Sequence, residues 1–460
     1  MTATARLFIG RERVVREITH GVLAGQPTSF SLIGSKLVGK SQLLSFLAGD
    51  DGPLRGEEYA LLRPFAFQDG NLVVIVRADC NRSDAQEDLM AFLYEAIAQQ
   101  VRSDGGIPLE WPLIESQSGS NRRLSQTARQ LSQMGYRLVL LLDNFDKTFA
   151  NLPSDVVNEL RPLTLETALV VATEQPLHDL DRNLAASPLF NVMTQLFVGL
   201  IEPEAQRRWL EEYTAQAPSL STMLSELTQL TGGHPYLLRR IGDILGEVQQ
   251  MLPPHQPIGP QHLPLIRLRL AEHGRMLFET LWRRLQNPPA RVNKSIALSL
   301  LQRMVAGELV ASAVTRDETI ALNWLINQAV VSCFGGANGI DYALFSPLFA
   351  EYLSERMAGS PPNAREPLSQ GFATSARPSA SFFDKLTKTE VTLLQYFQAH
   401  SHQVIPPDQL LSDVWKRPDA TVRRVQEAIR RLRLELEHAE PPIGMIENDR
   451  GRGYRFVPVM

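Results

Sequence analysis

Up to about residue 200, short apolar runs alternate with stretches whose apolar residues recur at helical spacing. The runs are "SFSLIG" (29–34), "NLVVIVRAD" (71–79), "YRLVLLLD" (136–143), "TALVVAT" (167–173) and "TQLFVGL" (194–200). Strands that are apolar at consecutive positions suit a parallel sheet covered by helices on both faces. From about residue 203 the period turns helical, through "EAQRRWLEEYTAQA" and "GHPYLLRRIGDILGEVQQML". A Pro-rich break, "PPHQPIGPQHLP" (253–264), precedes a further compact helical region that closes in "YALFSPLFAEYLSERM". Residues 358–381 are rich in Pro, Ser, Gly and Ala with almost no bulky apolar side chain, which reads as a flexible linker. The last block, 382–460, regains helical periodicity and ends in a β-like "GYRFVPV".

The pattern predicts a multidomain α/β and α protein. Its expected regions are a nucleotide-type core over 1–202, a helical lid over 203–252, a winged-helix or regulatory region over 265–357, the linker, and a terminal domain over 382–460. A chain of 460 residues is long enough for several such cores. The formal charge of −4 means that any nucleic-acid surface must be local. Cys80 and Cys333 stand far apart without metal-ligand spacing, which suggests free, buried thiols in a reducing cytoplasm. The N-terminus lacks the apolar core of a signal peptide and no apolar run of about 18 residues occurs, so a cytoplasmic protein without membrane association is expected.

One stretch carries definite chemistry. "GSKLVGKS" places Gly34, Gly39, Lys40 and Ser41 in the spacing G-x-x-x-x-G-K-S, after an apolar strand and before "QLLSFLA". Such a loop turns backbone N–H groups toward phosphate at a helix N-terminus. Lys40 would reach the β- and γ-phosphates and the Ser41 hydroxyl would ligate Mg²⁺. A second apolar strand ends at Asp143, positioned to hold the magnesium water shell. The next position, where many nucleotide hydrolases carry a water-activating glutamate, holds Asn144. An amide takes no proton from water at neutral pH, so slow hydrolysis is expected. Asp146 could serve as the base through shifted geometry, or cap the helix that "DKTFANL" begins; capping is the favoured reading.

The order of motifs is similar to that of the STAND ATPases, relatives of the AAA ATPases, over roughly residues 5–355. It comprises "FIGRERVVREI" (8–18), the phosphate loop, the Asp143 strand, a strand ending in Thr173, and "TGGHPYLLRRI" (231–241). The resemblance implies ATP or ADP with Mg²⁺. It places Phe8, Ile9, Gly10 and Arg11 near the adenine, His234 and Pro235 over it from the lid, and Thr173 at a sensor position. Pro235 also suits the first turn of a helix. Arg239 and Arg240 are either γ-phosphate contacts or solvated arginines.

The terminal block resembles the winged-helix DNA-binding domain of OmpR/PhoB-type regulators through "LTKTEVTLL", "LLSDVW", "VRRVQEAIRRLR" and "DRGRGYRF". Val422, Val425, Ile429, Leu432 and Leu436 form one core stripe at helical spacing. Arg423, Arg424, Glu427, Arg430 and Arg431 belong to the candidate reading helix, and Arg450 and Arg452 to the wing. Double-stranded DNA is the expected partner. With it are expected self-association when nucleotide is bound and a protein partner that delivers the signal. The reading is a nucleotide-switched DNA-binding regulator. A signalling or defence scaffold and a remodelling ATPase stay open as alternatives.

Overall fold

A computed structural model of the chain describes residues 8–104, 107, 119–180, 192–214, 218–253, 256–308, 310–311, 315–336, 339–358, 388–399, 404–414, 422–437, 444–449 and 453–458. They fall in two compact units, Met1–Pro362 and Asn363–Met460. The linker expected at 358–381 lies, apart from Ala358, outside the described residues.

The first unit is built on five strands: β1 (Ser29–Ile33), β2 (Val73–Asp79), β3 (Arg137–Asp143), β4 (Thr167–Thr173) and β5 (Met193–Phe197). They pair in parallel in the order β2-β3-β4-β1-β5, so the strand leading into the phosphate loop and the strand ending in Asp143 are separated by β4. β1, β3 and β4 are buried throughout, covered on both faces, and β2 is buried up to Arg77, whereas β5 is mostly exposed. Leu138, Leu140 and Leu142 pack with Leu93, Ile97 and Leu124 on one side. Val139 and Leu141 pack with Ile18, Leu43 and Leu47 on the other. The fold is therefore a P-loop α/β core, as the pattern predicted.

The Pro-rich segment does not separate one apolar core from another. Buried residues from Ile201 to Leu353, Ile258 among them, form a single cluster. It joins the lid helices Pro203–Thr214, Leu224–Thr231 and Pro235–Met251 to a winged helix. That winged helix comprises helices Leu263–Gln286, Lys294–Val305 and Arg316–Asn327, strands β6 (Val310–Ala311), β7 (Val331–Gly336) and β8 (Gly339–Leu344), and helix Pro347–Ala358. Its strands are antiparallel in the order β6-β8-β7. Gly232 makes the join, with φ at +53°; a Cβ there would lie 1.7 Å from the carbonyl oxygen of Phe345.

Cys80 is buried, and burial pushes its thiol up to about 12. Cys333 departs from expectation: it is exposed, because the β7–β8 hairpin carries it and its exposed neighbour Phe334 beyond the core.

The second unit packs helices Lys388–Ala399, Pro407–Asp413 and Val422–Glu437 against β9 (Val404–Ile405), β10 (Gly444–Asp449) and β11 (Gly453–Pro458), sheet order β10-β11-β9. Val425, Ile429, Leu432 and Leu436, four of the five stripe positions read from the sequence, are buried with Leu393, Phe397, Ile446 and Phe456, while the Val422 side chain lies outside the described residues. This is the C-terminal winged helix.

Candidate nucleotide site and candidate DNA-reading helix

The phosphate loop runs from Gly34 at the end of β1 into the helix Lys40–Ala48, with Gly39 at its N-cap in the left-handed region (φ +94°). Leu37, at the loop's turn, also has positive φ (+66°), a conformation that costs a non-glycine residue about 1 kcal/mol and is concentrated at ligand-binding loops. The Lys40 ammonium donates to the carbonyls of Gly34 (2.6 Å) and Ser35 (2.9 Å). Burial holds it below the usual lysine range, offset to some extent by Glu174, Asp146 and Asp143. Across the loop, the Ser41 hydroxyl donates to Oδ1 of Asp143 (3.0 Å). Asp143 is itself buried at the end of β3.

One cavity opens over this loop and a second adjoins it at Gln42. The first, of about 690 Å³, is lined by Gly39, Lys40, Ser41, Asn144, Asp146, Glu174 and Pro235 among others. The other, of about 890 Å³, is lined by Phe8, Ile9, Phe46, Trp209, Tyr213 and other residues. Gln42 of the core and Arg239 and Asp243 of the lid helix line both. The first presents Lys36, Lys40, Arg239 and Arg240 beside the carboxylates of Asp146, Glu174 and Asp243, with Lys40 at the loop where a phosphate would bind. The second has the stacked rings of Phe8 and Phe46 (5.0 Å), a suitable wall for an aromatic base. The residues thus fit a nucleotide, with Ser41 and Asp143 already together as a magnesium-type oxygen pair.

Other expected site residues stand behind the cavities. Arg11 is buried, its guanidinium donating to the carbonyls of Gly199 and Leu200, and burial lowers its pKa to about 10. Gly10 turns at φ +80° against Ile201. His234 is fully buried, caps the lid helix by accepting the N–H of Tyr236 on Nδ1 (3.3 Å), and packs on Phe345. It lines neither cavity, whereas Pro235 faces the phosphate side. Burial, with Arg11 nearby, pulls the imidazole down to about 3. Thr173 is buried at the end of β4 and its hydroxyl has no hydrogen-bond partner among the described residues.

The Asn144–Asp146 turn corrects one expectation. Asn144, not Asp146, occupies the N-cap, with φ +54°, which asparagine tolerates better than most residues. Asp146 lies in the first turn and accepts the backbone N–H of Glu174 (2.8 Å); burial raises its pKa. Asn144 donates from Nδ2 to Asp79 Oδ1 (3.0 Å).

Arg239 is exposed and lines both cavities, while Arg240 pairs with Asp243 (2.9 Å) and covers the Tyr236 ring (5.2 Å). Sequence reasoning missed Arg77, Asp79, Gln42, Glu174, Trp209 and Tyr213. The last two had a signal, an aromatic pair four apart on a helix rich in charged residues.

In the second unit, Arg430 and Arg431 are exposed on the helix whose opposite side carries the buried stripe. Arg423, Arg424 and Glu427 lie on the same helix, but their side chains, and all of Arg450 and Arg452, are outside the described residues. Arg433 ties the helix to the hairpin, donating to Ile446 O (2.8 Å) and covering the Tyr454 ring (5.9 Å).

Sheet order, phosphate loop and terminal fold together define the class: a P-loop NTPase core with a helical lid and an internal winged helix, followed by an OmpR/PhoB-type winged helix. Residues 385–456 match the family model "Transcriptional regulatory protein, C terminal". No curated protein matches the chain. Among solved structures, the ORC2 protein of Aeropyrum pernix, in ADPNP and ADP complexes, is similar at 12% identity and a TM-score of 0.45, over 76% of this chain and 94% of that one. A Walker-type ATPase of Pyrococcus abyssi is similar at 17% identity and 0.46, over 75% and 96%. The Aeropyrum pernix ORC1 protein in complex with DNA is similar at 16% identity and 0.37, over 76% and 93%. Among the described residues no helix is long and apolar enough to cross a membrane.

Proposed function

We propose that this protein is a nucleotide-switched DNA-binding regulator of STAND type, in which ATP–Mg²⁺ bound between core and lid sets the conformation or self-association that presents the terminal winged helix to DNA. The observation that carries the reading is the shared lining of the two cavities. Gln42 belongs to the core, and Arg239 and Asp243 to the lid, so one ligand touching all three biases the core–lid geometry. The lid shares its apolar core with the internal winged helix, which spreads that bias across residues 201–353. The limits 1–202, 203–252, 265–357 and 382–460 are the domains of this reading.

Lys40 and the loop N–H groups bind phosphate, with Phe8, Ile9 and Phe46 against the base. Magnesium, if bound, would be held by Ser41 and Asp143 and would supply charge neutralisation for the phosphates. Asn144 offers no proton acceptor and is engaged by Asp79, so turnover is slow. What turnover there is runs through Asp146, a carboxylate that lines the phosphate-side cavity with Glu174 and Asp243. Arg430 and Arg431, with Arg423, Arg424, Glu427, Arg450 and Arg452, read or clamp duplex DNA. Two readers on one assembly gain affinity by effective concentration.

Lys40→Ala tests the site. Loss of ADP and ATP binding in equilibrium titrations, with a native melting temperature, is expected; unchanged affinity sinks the assignment.

A further inference from the structure

Strand β2 reads VVIVRAD, one cation in an otherwise apolar run before the terminal Asp79. Its parallel pairing with β3 sets Arg77 against Leu141 and Asp79 against Asp143. Strand alternation then puts Arg77 and Asp143 on the same face of the sheet. Arg77 reaches forward, and its Nη2 lies 3.4 Å from Oδ2 of Asp143. The other carboxylate oxygen is occupied differently: Oδ1 accepts the Ser41 hydroxyl and the Asn144 N–H, each at 3.0 Å.

The oxygen left free of those neutral donors therefore faces a fixed positive charge. The Asp143 side chain is only 5% exposed and that of Arg77 is 43% exposed, so the carboxylate is screened from water on its own side. A buried carboxylate next to a guanidinium is neutralised without a metal. A divalent ion drawn to the same group gains less attraction and meets a like charge.

We infer that Arg77 is a resident counter-ion for Asp143 that lowers the site's demand for magnesium, so the protein holds nucleotide diphosphate nearly as well without the metal as with it. This rests on the nucleotide-site reading. Arg77 is a positioning residue: it sets how strongly Asp143 attracts a divalent ion, and through that how tightly nucleotide retention is tied to magnesium. Departure of the metal then does not by itself empty the site.

The test is the affinity of the full-length protein for a fluorescent ADP analogue, measured in excess Mg²⁺ and in EDTA. It is run on native protein, Arg77→Gln and Arg77→Lys, and on Asp143→Asn with and without Arg77→Gln. Native affinity is expected to agree within roughly twofold between the two conditions. Arg77→Gln should raise the magnesium preference roughly fivefold to tenfold. Arg77→Lys should stay near native, and Arg77→Gln should add nothing once Asp143 is Asn. Melting temperatures check folding, and Arg77→Met, which keeps the apolar stem, replaces the Gln variant if that one is unfolded. The inference is overturned by a large magnesium preference in native protein, by an unchanged preference in the Gln variant, or by an equal loss of affinity in both conditions. Native protein that binds ADP in neither condition overturns the site reading itself, a separate outcome.

Discussion

Asn144 Nδ2 donates to Asp79 Oδ1 over 3.0 Å, so the side chain following the metal-binding position is held by the neighbouring strand rather than left free over the phosphate side. Restoring a glutamate at this position is therefore not a simple repair. Asn144→Glu sets a carboxylate against that of Asp79 and puts a glutamate at φ +54°. We expect it to lose about 1–2 kcal/mol in chemical denaturation and to gain no ATP turnover. Adding Asp79→Asn removes the like charge and supplies an amide donor. The double variant should recover some of the stability and release phosphate faster than native protein. A turnover gain in the single variant would contradict this account of Asn144.

Arg284, in the internal winged helix, donates to Gln175 Oε1 (2.6 Å) and Gln328 Oε1 (3.3 Å), and Gln175 lies two residues beyond Thr173. Arg291 pairs with Asp179 in the same stretch (2.8 Å). Arg284→Ala should cost about 1–3 kcal/mol in denaturant unfolding. It should also shift ADP affinity severalfold, although Arg284 lines neither cavity. Loss of stability with unchanged nucleotide affinity would make the contact a strut without coupling.

His234 stays neutral in the folded state, its pKa held at about 3 against an ordinary value near 6.5. Below pH 6.5 the unfolded chain takes up a proton that the folded chain refuses, so stability falls as pH drops from 6.5 toward 3. His234→Asn keeps a side-chain acceptor for the Tyr236 N–H and removes the titration. Melting temperatures measured between pH 7 and 4.5 should fall less steeply for the variant. Parallel curves would show that His234 does not shape the acid limb.

Much of this was legible before any coordinates. β1, β3 and β4 announced themselves because strands buried on both faces are apolar without interruption, whereas β5, mostly exposed, showed only as an apolar run; the phosphate loop was legible in the spacing of Gly34, Gly39, Lys40 and Ser41. The stripe Val425, Ile429, Leu432, Leu436 was equally plain. Illegible were the relationships that parallel pairing creates between distant residues: Asp79 beside Asn144, Arg77 beside Asp143, Glu174 over Asp146. No local spacing encodes them. The cap at Asn144 was misassigned to Asp146 because propensity for caps does not reveal which of two neighbouring polar residues takes the turn. Cys333 looked like core because its flanking residues are apolar, yet a hairpin that projects past its core exposes them. The two-residue strand β9 is too short to leave a periodic signal.

On the terminal helix, the exposed pair Arg430 and Arg431 carries a prediction of its own. Replacing both by Ala should weaken duplex DNA binding by about 1–3 kcal/mol for each good contact and flatten its salt dependence. The fold should survive, because the buried stripe is untouched. Affinity insensitive to both changes and to salt would favour a protein-binding role for this domain.

The central claim is that nucleotide occupancy controls DNA binding. Its most direct test is a DNA titration of the full chain across salt concentrations, with and without ATP–Mg²⁺, for native protein and Lys40→Ala, with particle mass measured alongside. The account predicts that ATP–Mg²⁺ changes native DNA affinity together with conformation or mass, by roughly fivefold or more, and leaves Lys40→Ala unmoved. Equal native affinity in both conditions, in protein that demonstrably holds ATP, would contradict it.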